Sequence, residues 1–255
     1  MRRRVGLALE IGVTLLIIAG IWVYTDRSSS PYVPALSEVL KTFRETWLFE
    51  RFGSDLVPSL IRVALGYALG ITIGVGAGLL LGHIRWLRLA AEPTVSFLRS
   101  IPPPALLPLF ILVFGIQDSM KIAIIAFVCI WPVLLNTIDG VVSLDPTLKA
   151  TAAIYGINGP ARLTRVVLPA ISPRIFAGMR TSLSVALLIV VVSEMVASTN
   201  GLGYLVLEAQ ATFAIRRMWA GILMLGIIGY LANTLFITLE RRALRWHLRP
   251  DQEKA

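Results

Sequence analysis

Residues 150–180 read ATAAIYGINGPARLTRVVLPAISPRIFAGMR. The stretch places Gly156, Pro160, Arg162 and Arg165 in a polar, basic island, and the long segments on either side of it are apolar. The whole chain of 255 residues is 56% hydrophobic and 15% charged, with a mean hydropathy of +0.76. A soluble domain carries about a quarter charged residues, so the composition defines an integral membrane protein. A chain that only had to turn between two spans would do so in far fewer residues than this island uses. The island is therefore expected to dock something.

Outward from the island, the apolar runs divide into six spans. Arg2, Arg3 and Arg4 precede Leu7–Tyr24, which is long enough to span and has no small-residue cleavage site before Asp26, so it reads as an uncleaved first span. Residues 25–57 form an outer connection. Within it, Leu36, Val39, Leu40, Phe43 and Trp47 share one side of a short helix. That helix either lies on the membrane interface or packs on the bundle. Pro58–Gly82 is the second span, with Gly66, Gly70, Gly74, Gly78 and Gly82 at four-residue spacing and Gly76 beside them. Small residues at this spacing let helix backbones approach closely in lipid, and the contact could be within the chain or with a second copy.

His83–Ala91 reads as a short basic turn. Glu92–Gly115 is interrupted by Pro102, Pro103, Pro104 and Pro108, which remove backbone donors and break a helix. A broken helix at membrane depth lines a cavity or is buried in protein; the alternative is a helix starting at Pro104 with the preceding residues at the interface. Ile122–Ile138 is the fourth span, Ile175–Ala197 the fifth and Met218–Leu239 the sixth. Ser198–Arg217 reads as a loop, and Glu240–Ala255 as a basic tail. With the N-terminus inside, fourteen of the 24 Lys and Arg residues fall in inner segments and seven in outer ones, while Arg62, Arg99 and Arg180 lie in or near spans. This bias places both termini and the island in the cytoplasm. The net charge of +9 is thus topological and does not point to nucleic acid.

Several chemistries are missing. No phosphate-loop motif G-x-x-x-x-G-K-[ST] and no H-E-x-x-H motif occurs, the two histidines, His83 and His247, sit at span ends, and Cys129 is alone. Neither a catalytic site, a metal site nor a resident cofactor is expected. Among charges inside spans, Arg62, Arg99 and Glu194 are candidates for a translocation path with Pro103 and Pro108, because such charges face a cavity or a partner. Arg99 could instead pair with Glu92. Within the island, Pro146–Tyr155 reads as a helix opened by Asp145-Pro146 and ended by Gly156 in the left-handed conformation. Pro160–Val167 reads as a second helix stopped before Pro169. Arg162 and Arg165 on it could meet an acidic partner or simply face head groups.

Gly156 followed by Val166-Val167-Leu168-Pro169 resembles the EAA loop of ATP-binding-cassette importer permeases, a Glu-Ala-Ala opening, a glycine, then Ile-x-Leu-Pro. Gly156, Leu168 and Pro169 match, as does Ala152, while Ala150 and Thr151 depart from the opening. Ser59-Leu-Ile-Arg62, Pro102 through Pro108 to Phe114-Gly115, and Ser193-Glu194-Met195 resemble the nitrate, sulfonate and taurine branch, so the likeness covers about residues 31–245. It implies an all-α polytopic membrane protein of the type I importer fold with six transmembrane helices. A first span and outer segment (1–57) would precede a permease domain (58–240) holding the coupling loop 145–174, and a basic tail (241–255) would end the chain. It further implies that Ala152, Tyr155, Gly156, Arg162, Arg165, Leu168 and Pro169 form the contact with an ATPase. The partners implied are two ATPase subunits that bind the ATP and magnesium, an external substrate-binding protein, a second permease copy and the bilayer of a bacterial inner membrane. The solute would be a small anion. Two other readings are a secondary transporter, for which no inverted repeat is visible between the halves, and a non-transporting membrane scaffold.

Overall fold

The computed structural model describes residues 2–27 and 30–246. Among the described residues the chain is helical throughout, without a strand. The helices are α1 (Arg2–Arg27), α2 (Leu36–Glu45), α3 (Val57–His83), α4 (Arg85–Ser100), α5 (Leu107–Phe114), α6 (Asp118–Val142), α7 (Pro146–Ile154), α8 (Gly159–Val196), α9 (Leu202–Ala211) and α10 (Ile215–Ala243). Among the described residues, four segments are long and apolar enough to cross a membrane: Phe52–His83, Asp118–Val142, Gly159–Val196 and Ile215–Ala243. Arg85–Ser100 and Pro103–Phe114 together pass the same test but meet at 91°.

The centre of the fold is the pairing of α3 with α6. A Cβ placed on Gly66, Gly70, Gly74, Gly78 or Gly82 would fall 2.5–2.9 Å from the Cβ of Ile125, Cys129, Val133, Thr137 or Val141 respectively. Two rows at four-residue spacing therefore mesh, and only hydrogen fits between the backbones. The glycine ladder is thus a contact within the chain. Gly76, beside the ladder, meets nothing within 4 Å. Helix α8 packs on the other side of α6, where Gly178 lies against the Pro132 carbonyl and Ser182 donates to the Cys129 carbonyl at 2.8 Å. In lipid such close packing and buried hydrogen bonds hold helices together, because the solvent is as apolar as the side chains.

Three apolar clusters lie along this core. The middle one joins Val63, Leu107, Ile124, Ile125 and Ile189. The one at the end away from the island, called the outer cluster for that position alone, joins Trp47, Leu56, Leu202, Leu205 and Met224, and the third, beside the island, joins Val141, Leu144, Val167, Ile171 and Ile175. Trp47 is 1% exposed and its indole donates to the Ala220 carbonyl at 3.2 Å. The short amphipathic helix therefore packs on the bundle, its apolar side filling the outer cluster, with Leu40 left exposed. Helix α1 instead leaves Leu16, Ile17 and Ile21 exposed.

Several sequence expectations need correction. The basic turn after α3 is a single residue, Ile84, and Arg85 already begins α4. The prolines at 102–104 do break the segment, through a 3-10 turn at Pro103–Leu106. Ser198–Arg217 is not all loop: Leu202, Leu205, Val206 and Ala209 are buried on one face of α9, the apolar spacing of a helix. Nor does Pro169 stop the second island helix. Leu163–Val167 forms a π turn in which the Leu168 N–H reaches the Leu163 carbonyl. That wider turn accommodates a proline ring that would otherwise press on a carbonyl of the preceding turn. The helix then runs unbroken for 38 residues, Gly159–Val196. Of the basic tail, residues 247–255 lie outside the described residues; α10 carries Arg241 and Arg242 in its last turn.

Candidate functional site

The island forms a knob built by its caps. The Asp145 carboxylate accepts from the Thr147 N–H at 2.7 Å, and Pro146 occupies the first turn, where no N–H is needed. At the other end Gly156 has φ +67. Its N–H donates to the Ala153 carbonyl, and the Ile157 N–H reaches the Ala152 carbonyl. This pair of bonds is the Schellman arrangement, which calls for glycine at the left-handed position. A side chain there would meet nothing within 4 Å, so the glycine is required by conformation and not by space. The turn leaves Ile154 83% and Tyr155 78% exposed. Two large apolar side chains are thus presented at the tip of a polar knob.

The loop residues divide by role. Ala152 is 4% exposed and anchors α7, while Leu168 packs against the cluster around Val167 and Ile171. Tyr155, Arg165 and Pro169 are exposed, and Arg162 is half-buried. Neither Arg162 nor Arg165 has an ion-pair partner among the described residues. No group of three or more His, Cys, Asp or Glu side chains among the described residues is placed to hold a metal.

A second constellation lies at the opposite end of α8. Glu194, fully buried, accepts from Arg62 Nη1 at 2.7 Å, from Ser59 Oγ at 2.7 Å and from the Gly203 N–H at 3.0 Å. Arg62, 3% exposed, also binds Asp118 at 2.7 Å and the Asn200 side-chain oxygen at 2.6 Å. Lys121 stands 3.9 Å from Asp118. Nearby, Asp55 accepts from the Gly201 N–H at 2.8 Å and pairs with Arg51. Gly201, at φ +118, lies so close to the Glu194 carboxyl that an added Cβ would sit 2.5 Å from it. Arg62 and Lys121 balance Asp118 and Glu194, and Arg62 and Glu194 are each met by several hydrogen-bonding partners, the condition under which burial of charge is tolerated. The cluster ties α3, α6 and α8 to the Asn200–Gly203 turn.

Arg62 and Glu194 are therefore partners of each other inside a closed cluster. The rest of the path candidates lie apart from them: Pro103 opens the 3-10 turn, Pro108 is exposed in the first turn of α5, and Arg99 is exposed at the end of α4. Arg99 does not pair with Glu92, and it has no hydrogen bond or ion pair among the described residues. Asp55, Ser59, Asp118, Lys121, Asn200, Gly201 and Gly203 join this cluster beyond the two charges that the sequence singles out. Asp55, Ser59 and Arg62 are one turn apart, a spacing that puts them on one helix face and was readable in advance. The contributions of Asp118 and Asn200 depend on tertiary approach.

A knob at one end of a helical membrane bundle is joined by one helix to a buried charge cluster at the other. Residues 70–245 match the family described as binding-protein-dependent transport system inner membrane component, and the chain belongs to that family. It is 34% identical over 218 residues to a Bacillus subtilis protein described as an aliphatic sulfonates transport permease, covering 86% of this chain and 79% of that one. It is 30% identical to the taurine transport system permease of Escherichia coli, covering 94% and 90%. It is 25% identical to the nitrate import permease of Leptolyngbya laminosa, covering 97% and 90%. The chain is the permease of an ATP-binding-cassette importer, and the secondary-transporter and scaffold readings are set aside.

Proposed function

We propose that two copies of this chain form the translocation path for a small anion such as a sulfonate, taurine or nitrate in a bacterial inner membrane. An external binding protein delivers the anion, and two ATPase subunits, which carry the ATP and magnesium, dock on the inner side. In this reading α1 and the bent pair α4–α5 complete six spans, both termini face the cytoplasm, and the Ile154–Tyr155 knob seats in the ATPase. The observation that carries it is the continuity of α8. Its 38 residues reach about 57 Å at 1.5 Å per residue, from beside the knob to Glu194 in the outer cluster. A displacement of the knob by the ATPase is delivered to the outer end without a joint between them. The outer cluster, closed here, is the contact that opens when the spans reorient.

The experiment is co-purification of the ATPase with Gly156→Val and Leu168→Ala variants. Valine at φ +67 is disfavoured by about 1–2 kcal/mol, enough to distort the turn that presents Tyr155. The variants are expected to lose ATPase binding or to leave ATP hydrolysis unlinked to uptake. Full coupling in both would remove the knob from the mechanism. Arg99, charged, exposed and beside the proline break, faces the path and attracts the anion, so Arg99→Ala is expected to lower uptake by up to about fivefold at unchanged ATPase binding, the factor that an exposed charge contact of about 1 kcal/mol produces. Unchanged uptake in a flux assay would remove Arg99 from the path.

A further inference from the structure

Between the inner end of α3, the start of α4, the end of α6 and the island lies a cleft of about 860 Å³. His83, Arg85, Arg88, Lys149 and Arg162 line it, and no acidic residue does. These residues come from α3, α4, α7 and α8, so the fold, and not one basic run, brings them together. None has an ion pair among the described residues. Arg88, Lys149 and Arg162 are half-buried, and Arg88 reaches the Gly82 carbonyl at 3.5 Å, which holds its head at the cleft. Four permanent cations held around one cavity without a counter-charge repel each other, and an anion in the cavity would relieve them.

We infer that this cleft binds the phosphate of an anionic phospholipid from the inner leaflet. The other wall of the cavity is apolar. Leu79 and Leu80 of α3 and Val142 of α6 line it, with Leu80 and Val142 about half exposed. Next to Arg85 and Arg88, Trp86 and Leu89 are 70% and 55% exposed. A tryptophan beside arginines, at the end of a span, belongs to the interfacial belt. Basic pockets between spans on the cytoplasmic side are the places where anionic head groups bind. A free phosphate would satisfy the cations and leave Leu80 and Val142 uncovered, whereas a lipid covers both. The inference uses the inward placement of this end and shares Arg162 with the proposed ATPase contact, while Arg85 and Arg88 lie outside the coupling loop.

The full chain is extracted from membranes, delipidated, and offered phosphatidylglycerol and phosphatidylcholine at equal mole fraction. Bound lipid is counted by native mass spectrometry, with and without millimolar inorganic phosphate. Selective retention of phosphatidylglycerol is expected, falling at least fivefold in Arg85→Gln/Arg88→Gln and unaffected by phosphate. The double variant is checked by its elution profile and melting. If it does not fold, Lys149→Gln, on another helix, replaces it with the same expectation. Equal retention of the two lipids overturns the inference, and so does retention that the variants leave unchanged. Displacement of lipid by inorganic phosphate overturns the lipid source and assigns the site to free anion. Loss of bound lipid when the ATPase is added assigns the cleft to the protein interface instead. A failure with lipid, with ATPase still docked, leaves the transport reading standing.

Discussion

The two ends of this bundle treat charge in opposite ways. At the end away from the island (the outer end), Arg62, Asp118, Lys121 and Glu194 are drawn together and paired, with Arg62 and Glu194 at 2.7 Å and almost wholly buried. At the island end, Arg85, Lys149, Arg162 and Arg165 have no acidic partner among the described residues. A buried charge must be satisfied within the protein or it destabilises the fold. An exposed one can be left for something else to satisfy. The outer end is thus complete in itself in this conformation, and the island end leaves its cations without a counter-charge among the described residues. Helix α8 connects the two.

The largest effect should come from breaking the outer pair. Glu194→Ala leaves Arg62 buried with one anion fewer, and Arg62→Ala leaves Glu194 against Ser59 and Gly203 without its cation. Each is expected to destabilise the chain by about 3–5 kcal/mol, read as loss of the folded fraction on denaturation in detergent. Replacing both by Gln and Met should lose less than the sum of the singles, since neither leaves an uncompensated charge. Additive losses would show that the pair is two independent residues, and the contrast between the ends would fall.

A middle-sized effect tests the seam that holds both ends in register. Gly74→Ala puts a Cβ 2.9 Å from that of Val133, and overpacking of this kind typically costs about 1–3 kcal/mol. Gly76→Ala, two residues on, adds a Cβ into open space and should be neutral or slightly stabilising, as alanine is the better helix former. The difference in melting temperature between these two variants is the measurement. Equal melting would mean that α3 and α6 are not packed through the ladder.

These same elements show where the sequence was legible. The glycine ladder spoke plainly because small residues at four-residue spacing have one physical use in lipid, though the identity of its partner row required the fold. The island was legible at both caps, Asp145-Pro146 and Gly156, since each residue type there answers a local backbone need. Pro169 misled because its effect on a helix depends on the turn before it, and a π turn leaves no composition signal. The outer cluster was half visible. Arg62 and Glu194 stood out as costly charges within spans, but the contact that α3 and α8 make between them, over a separation of 132 residues, leaves no signal in the sequence. Gly201 and Gly203 looked like loop residues, and only the approach of the Glu194 carboxyl shows why they are glycines.

The smallest effect on stability, and the sharpest on the comparison, should be that of Arg165→Gln. Arg165 is exposed on the π turn and has no partner among the described residues, so removing its charge should change folding by no more than about 0.5 kcal/mol, the usual range for a surface site. The same loss of one positive charge at Arg62 is expected to be several times more disruptive. If Arg165 instead meets an acidic group of the ATPase, its loss appears only in the complex. Affinity should then fall by a factor of about five, with the effect shrinking at high salt because exposed pairs are screened. Titration of ATPase against the wild-type and Arg165→Gln chains at two ionic strengths measures this. A destabilised free chain would mean that Arg165 is held within the fold, and that the island end is as self-contained as the other.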